Sequence, residues 1–203
     1  MNVAAPQLDF FPEDHRYVLD GQTVPSVTQI LSFGQDLSRI PAWTAHRGTA
    51  FHLATEYWDA SDLDMESIDP QVKPHFDAYV QWWSINLPNY THTEERVWAE
   101  LDGMLYCGTI DRIMLHRRGH HVVLDLKSGA PRAEHGLQLA AYKHAVMQRM
   151  GFKDVSCVGL YCTKDGKWLE KPYDQPHLLE GFRAKLRNYY EAMAVQTPQT
   201  TEA

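Results

Sequence analysis

Residues 107–129, CGTIDRIMLHRRGHHVVLDLKSG, set two aspartates and a lysine into runs whose other residues have the aliphatic, β-branched make-up of strands. A three-residue loop, Arg117-Arg118-Gly119 with Gly119 left-handed, pairs His116 with His120 and, counted back, sets Asp111 opposite Asp125. Period-two alternation then groups Asp111 with Thr109 and Ile113 on one face, and Asp125 with Lys127 on the matching face of the partner strand. Two carboxylates across a strand pair repel, and burial pushes up the pKa of at least one unless positive charge lies between them. Lys127 supplies one such charge. A hard divalent cation supplies the rest, because carboxylate oxygens are its preferred ligands. The competing reading is an ion-pair ladder of Asp111, Arg112, Asp125 and Lys127 on a solvated face. The aliphatic neighbours Val122, Val123, Leu124 and Leu126 instead make the Asp125 strand central, where an idle ion pair adds little to stability.

Working outward, EERVWAEL (94–101) precedes this hairpin through a turn at Asp102-Gly103, so three strands form an antiparallel meander. Helical patterns flank them. PAWTAHRGTAFHLATEYWDA (41–60) and PQVKPHFDAYVQWWSINL (70–87) lie upstream, and EHGLQLAAYKHAVMQRM, closed by Gly151, lies downstream. Gly48 inside the first helix costs roughly 1 kcal/mol relative to Ala and calls for a packing reason. VSCVGLYCTKDGKWLEKPY (155–173) reads as a hairpin on Asp165-Gly166, residues 178–195 as a terminal helix, and 197–203 as a flexible tail. At the other end, RYVLDGQTVPSVTQILSFG (16–34) reads as a hairpin turning at Asp20-Gly21. A helix follows, opened by a Ser26/Gln29 capping box and stopped by Gly34. The expected fold class is α/β (α+β): helix, three strands, helix, strand, as a mixed sheet flanked by helices. Residues 1–40 form an N-terminal accessory arm and 41–196 the main domain.

Composition narrows the function. The 203 residues suffice for one core without disulfides, and Cys107, Cys157 and Cys162 contain no C-x-x-C pair. Neither a signal peptide nor a long apolar run is present, so the expectation is a soluble cytoplasmic protein with no membrane role. A net charge of -7 argues against electrostatic coating of nucleic acid, although HRRGHH and FRAKLRNYY are local basic clusters. His52 and Glu56 share a helical face at i, i+4, as do Gln138 and Tyr142; each pair taken alone is ordinary helix surface or packing.

Together, RGTAFH (47–52), GTIDRI (108–113), VLDLKSG (123–129) and QLAAY (138–142) resemble four motifs of the PD-(D/E)XK nuclease superfamily, in the branch of RecB-type and phage recombination exonucleases and CRISPR-adaptation nucleases. The four blocks span about half the chain in the family's order. The resemblance implies a restriction-endonuclease-like core and a divalent-metal-dependent DNA exonuclease using one or two Mg2+ or Mn2+ ions. It implies that His52, Asp111, Asp125 and the Leu126 carbonyl hold metal, that Lys127 orients or activates water, and that Gln138 and Tyr142 position phosphate or the lysine. Glu95 is a candidate outer metal contact, with His46 and Glu56 behind it. The cysteines of the iron-sulfur branch are missing, so no cluster is expected. A single-strand annealing protein is a partner by family analogy, and a homo-oligomer around DNA is compatible with the acidic exterior. A structure-specific DNA or RNA endonuclease and a catalytically silent binding module are the alternatives.

Overall fold

Asp20-Gly21 and Asp102-Gly103 each place two successive residues in the left-handed region (φ 48° and 83°, 53° and 77°), the requirement of a two-residue turn whose twist matches its strands. In the computed structural model, which describes residues 6–36, 38 and 41–196, these turns close two of the expected hairpins. The first joins β2 (Arg16–Leu19) to β3 (Gln22–Val24). A further strand, β1 (Leu8–Phe11), extends it to a three-stranded antiparallel sheet in the order β1-β2-β3. The second joins β4 (Tyr90–Leu101) to β5 (Met104–Leu115).

Helix α1 (Val27–Ser32) starts at the expected capping box: Ser26 Oγ accepts from the Gln29 N–H at 3.2 Å, and Gln29 Oε1 accepts from the Ser26 N–H at 2.9 Å. Its Val27, Ile30 and Leu31 enter the main core beside Val97, Ile110 and Leu139, so the helical end of the expected arm is packed into the body. Helices α2 (Ala42–Asp59) and α3 (Lys73–Asn86) precede the meander, which β6 (His121–Lys127) completes. After α4 (Ala133–Arg149), β7 (Val155–Cys162) returns parallel to β6, β8 (Trp168–Pro172) pairs antiparallel to β7, and α5 (His177–Gln196) closes the described chain.

The main sheet therefore runs β4-β5-β6-β7-β8 and is mixed, with helices on both faces. Alternate residues of β6 separate into two cores. Val123 joins Leu139, Ala145 and Phe182 under α4 and α5, while Leu124 and Leu126 join Phe51, Tyr79 and Trp82 under α2 and α3. All five residues from Val122 to Leu126 are buried, as a central strand requires. The expected class and element order hold. Residues 197–203, read as a tail, lie outside the described residues. Among those described, no helix is long and apolar enough to cross a membrane.

Period two breaks in β5. Ile110 and Ile113, three apart, share one core, and Arg112 between them is fully buried toward α2, so Asp111 and Ile113 do not form the expected common face. The cause is a double interruption at Asp111. The β4–β5 pairing passes from Thr93–Arg112 to Glu95–Ile110 with Glu94 left-handed at φ 49°, and the β5–β6 ladder stops at Arg112–Leu124. There the Asp111 carbonyl accepts Arg112 Nη1 at 2.7 Å instead.

Candidate active site

Four elements supply groups to this gap: α2 brings His52, β4 Glu94, β5 Asp111, and β6 Asp125, Lys127 and the Leu126 backbone. The loop geometry expected of Arg117-Arg118-Gly119 is present, with the His116 N–H donating to the His120 carbonyl at 2.8 Å and Gly119 at φ 85°. The register it sets runs from Leu115–His121 to Arg112–Leu124 and stops one pair short of Asp111 and Asp125, whose carboxylates do not meet head on. Asp111 Oδ2 accepts the Leu126 N–H at 2.6 Å, satisfying the backbone donor that the ended ladder would orphan. Its other oxygen lies 3.5 Å from His52 Nδ1. One donor atom each from His52, Glu94 and Asp111 lie within 4.8 Å of one another.

Asp125 is 2 % exposed. Its Oδ1 accepts Lys127 Nζ at 2.8 Å, confirming their shared face, while Oδ2 is buried with no hydrogen-bond partner. Burial pushes the Asp125 carboxyl up to about 7; the Lys127 charge opposes this and the Asp111 charge adds to it. Glu94 is likewise pushed up to about 7 by burial and by Asp111, against the pull of Arg112. Burial alone would lower Lys127, but Asp125 and Asp111 outweigh it and hold the ammonium charged. Burial lowers His52 in spite of Asp111, which keeps its ring neutral and available as a ligand; the Leu126 backbone also hydrogen-bonds this ring.

Arg112 holds the far side of the gap. Its Nε donates to Asp59 at 2.8 Å and its Nη1 to Glu94 at 3.0 Å, and Tyr79 donates to Asp59 at 2.7 Å. This guanidinium is wholly buried, so the solvated ladder considered for Arg112 does not exist. Glu94, not Glu95, joins the cluster. Glu95 has the parity of Val97 and Ala99 on the core-facing side of β4, and the left-handed residue before it turns the other glutamate inward.

On α4, Tyr142 packs over Gly108: a Cβ there would sit 2.8 Å from Tyr142 Cε1 and 2.9 Å from its hydroxyl. The glycine of GTID and the tyrosine of QLAAY are thus two halves of one contact. Burial keeps the Tyr142 hydroxyl protonated, and Gln138 Nε2 approaches it at 3.5 Å. Both side chains line a cavity of about 760 Å³ together with His52, Glu94, Asp111 and Lys127. Glu56 lines it too, but His46 packs at a tilt against Trp43, ring centroids 5.0 Å apart, and is not in the ligand group. Gly48 is one helical turn before His52, with nothing within 4 Å of its missing Cβ. Its reason is therefore open space rather than close packing. The FRAKLR cluster is engaged elsewhere: Arg183 and Arg187 pair with Asp102 at the β4–β5 turn.

The donor set fits a divalent cation. It is made of two carboxylates, Glu94 and Asp111, and a neutral imidazole, and Asp125, outside that group, keeps an unmatched buried carboxylate oxygen. The three cysteines are buried in separate parts of the core, with thiols pushed up to about 12 by burial.

A family model described as the PD-(D/E)XK nuclease superfamily matches residues 31–202. The chain belongs to that superfamily. Membership makes it a phosphodiesterase by kind, in a superfamily that works with divalent metals. No curated protein matches it. Among solved structures, a protein from Eubacterium rectale named provisionally as an exonuclease shares the fold at 10% identity and a TM-score of 0.58, over 85% of this chain and 80% of that one. SSO0001 aligns at 16% identity and a TM-score of 0.41 over 84% of each chain, too distant to bear on the argument.

Proposed function

We propose that this chain is a Mg2+- or Mn2+-dependent DNA exonuclease of the PD-(D/E)XK superfamily, with His52, Asp111, Asp125 and the Leu126 carbonyl holding the metal and Glu94, in place of Glu95, as the outer carboxylate. The observation that carries this reading is the buried Asp125 carboxylate, which feels the Asp111 charge and has one oxygen unmatched and the other on Lys127, whose side chain lines the open cavity with Asp111. Bound there, a divalent ion supplies Lewis-acid stabilisation of the phosphoryl oxygens and a lowered water pKa.

The chain's own residues do the rest. Lys127 is held by Asp125 as a permanent cation, so it stabilises charge growing on the phosphate and does not serve as a base. The Tyr142 hydroxyl and the Gln138 amide offer neutral donors to the phosphate from the α4 side. Arg112 fixes Glu94 and the Asp111 carbonyl, holding the cluster before any ligand arrives. An acidic exterior favours binding limited to an end over coating of a duplex, and the provisional name of the Eubacterium rectale relative points the same way.

The test is digestion of end-labelled linear single- and double-stranded DNA and of closed circles, in Mg2+, in Mn2+ and in EDTA, beside Lys127→Ala and Asp125→Ala. The expected result is metal-dependent loss of linear DNA alone, absent in both variants. Cutting of circles replaces the exonuclease reading with an endonuclease. Full activity in Lys127→Ala refutes the assigned mechanism, and no cleavage in any metal favours a silent binding module.

A further inference from the structure

The candidate site opens into a cavity whose second wall comes from the N-terminal sheet, a segment to which neither the motifs nor the metal cluster gives any role. Phe10 of β1, His15 of the β1–β2 turn and Tyr17 of β2 line that wall. The three rings pack as a unit: Phe10–Tyr17 centroids are 4.6 Å apart, Phe10–His15 5.2 Å and His15–Tyr17 5.8 Å. Arg96, from the β4 side of the same cavity, sets its guanidinium 5.4 Å from the Phe10 ring centroid. His15 is exposed and holds a left-handed φ of 51°, a conformation that costs a non-glycine residue energy.

The wall is tied directly to the ligand strand. Tyr17 and Thr109 share a hydrogen bond at 2.8 Å, and Thr109 is two positions before Asp111, or about 7 Å along the strand. The cavity's 760 Å³ is the size of a small-molecule site, roughly 300–1,000 Å³, which suits a nucleotide or two. Aromatic faces beside a cation, next to a phosphate-handling centre, are the two components with which proteins grip single-stranded nucleic acid.

We propose that Phe10 and His15, backed by the buried Tyr17 and flanked by Arg96, form a stacking subsite for one unpaired nucleobase of the DNA strand whose phosphate enters the candidate metal centre. The inference rests on the nuclease reading and deepens it: the substrate in the cleft is a frayed or single strand. Stacking on a π-face is indifferent to base identity, so the subsite demands an unpaired base without demanding a sequence. Arg96 covers Phe10 in the free protein and moves to the backbone of the incoming strand.

The test uses full-length protein in EDTA, so that binding is read without cleavage, and fluorescence anisotropy of a labelled single-stranded oligonucleotide. A series of the same oligonucleotide carries one abasic position moved along the strand. The variants are Phe10→Leu, which keeps apolar packing but removes the ring, Phe10→Trp, which restores a face, and the exposed His15→Ala. We expect Phe10→Leu to weaken binding about tenfold and Phe10→Trp to retain it. One abasic position should weaken the wild type by a similar factor and add nothing in Phe10→Leu, and His15→Ala should show a smaller loss at that position. An abasic series that is flat in the wild type, or Phe10→Leu binding at wild-type strength, overturns the subsite while leaving wild-type cleavage in Mg2+ intact. A wild type that neither binds the oligonucleotide nor cleaves any DNA overturns the nuclease reading and the subsite together.

Discussion

Replacing Asp125 by Asn removes the charge most at odds with its surroundings while keeping its shape, and so separates folding from metal binding. In the fold the carboxyl titrates near 7 against about 4 in an unfolded chain, a gap of about 3 units or about 4 kcal/mol at 1.36 kcal/mol per unit. That is the ceiling on what ionisation of Asp125 costs the metal-free protein. That ceiling already contains the attraction of Lys127 Nζ at 2.8 Å, and relaxation of the 22 % exposed Lys127 side chain and its water reduces the cost further. The net gain in chelator is about 1–3 kcal/mol, or about 2–10 °C in melting temperature for a chain of this length. The sign follows from linkage. Between pH 4 and 7 the folded state holds the Asp125 proton more tightly than the unfolded state, so the cost is absent at pH 4, grows as pH rises and is complete above 7. The variant's advantage must follow the same course. Magnesium reverses the comparison: at a hundredfold excess over its dissociation constant it stabilises the wild type by about 2.7 kcal/mol and the variant by little. Thermal melts at pH 8 in EDTA and in MgCl2 decide it. A variant that melts below the wild type in EDTA, or that gains as much from Mg2+, refutes both the burial argument and the place of Asp125 in the metal centre.

Gly108→Ala should cost about 1–3 kcal/mol, because its methyl would meet a Tyr142 ring that is itself buried; an unchanged urea midpoint would show that the ring is free to move. Gly48→Ala should do the opposite, adding about 1 kcal/mol of helix stability while a methyl enters the cleft one turn from His52 and slows cleavage, so a melt and a rate measured on one preparation must diverge. His135, held to about 4 by burial and by the Lys127 charge, makes the fold lose stability as pH falls from about 6.5 toward 4, since the unfolded chain takes the proton first. For this half-exposed ring the loss is about 1 kcal/mol, and His135→Gln should flatten that limb in denaturation curves at pH 7, 5 and 4.

What the sequence made legible was local. The Asp-Gly turns, the Ser26/Gln29 box and the Gly119 loop act over two to five residues, and each produced the geometry its chemistry demands. The shared face of Asp125 and Lys127 followed from period two in a regular strand. Where β4 and β5 are irregular, the same rule misled. It put Asp111 and Ile113 on one face because alternation cannot reveal a left-handed residue in mid-strand, and it gave no sign that Arg112 is buried, because the acids that neutralise it, Asp59 and Glu94, lie 53 and 18 residues away. Strand β1 escaped notice because LDFF is short and does not alternate. Gly48 looked like a packing requirement, whereas the space it leaves belongs to a cavity whose opposite wall is some thirty residues upstream.

The N-terminal segment reaches the ligand strand through backbone as well as side chain: the Cys107 N–H donates to the Pro25 carbonyl at 3.1 Å, and Ser26 and Cys107 form a parallel bridge. These contacts join residues more than 80 positions apart, and closing so long a loop is the slow, entropically costly part of folding. The acidic cluster draws on residues 52 to 127, but the cleft around it also takes a wall from Phe10, His15 and Tyr17. The cleft is thus a product of long-range docking, complete only when the two ends of a loop of more than 80 residues have met.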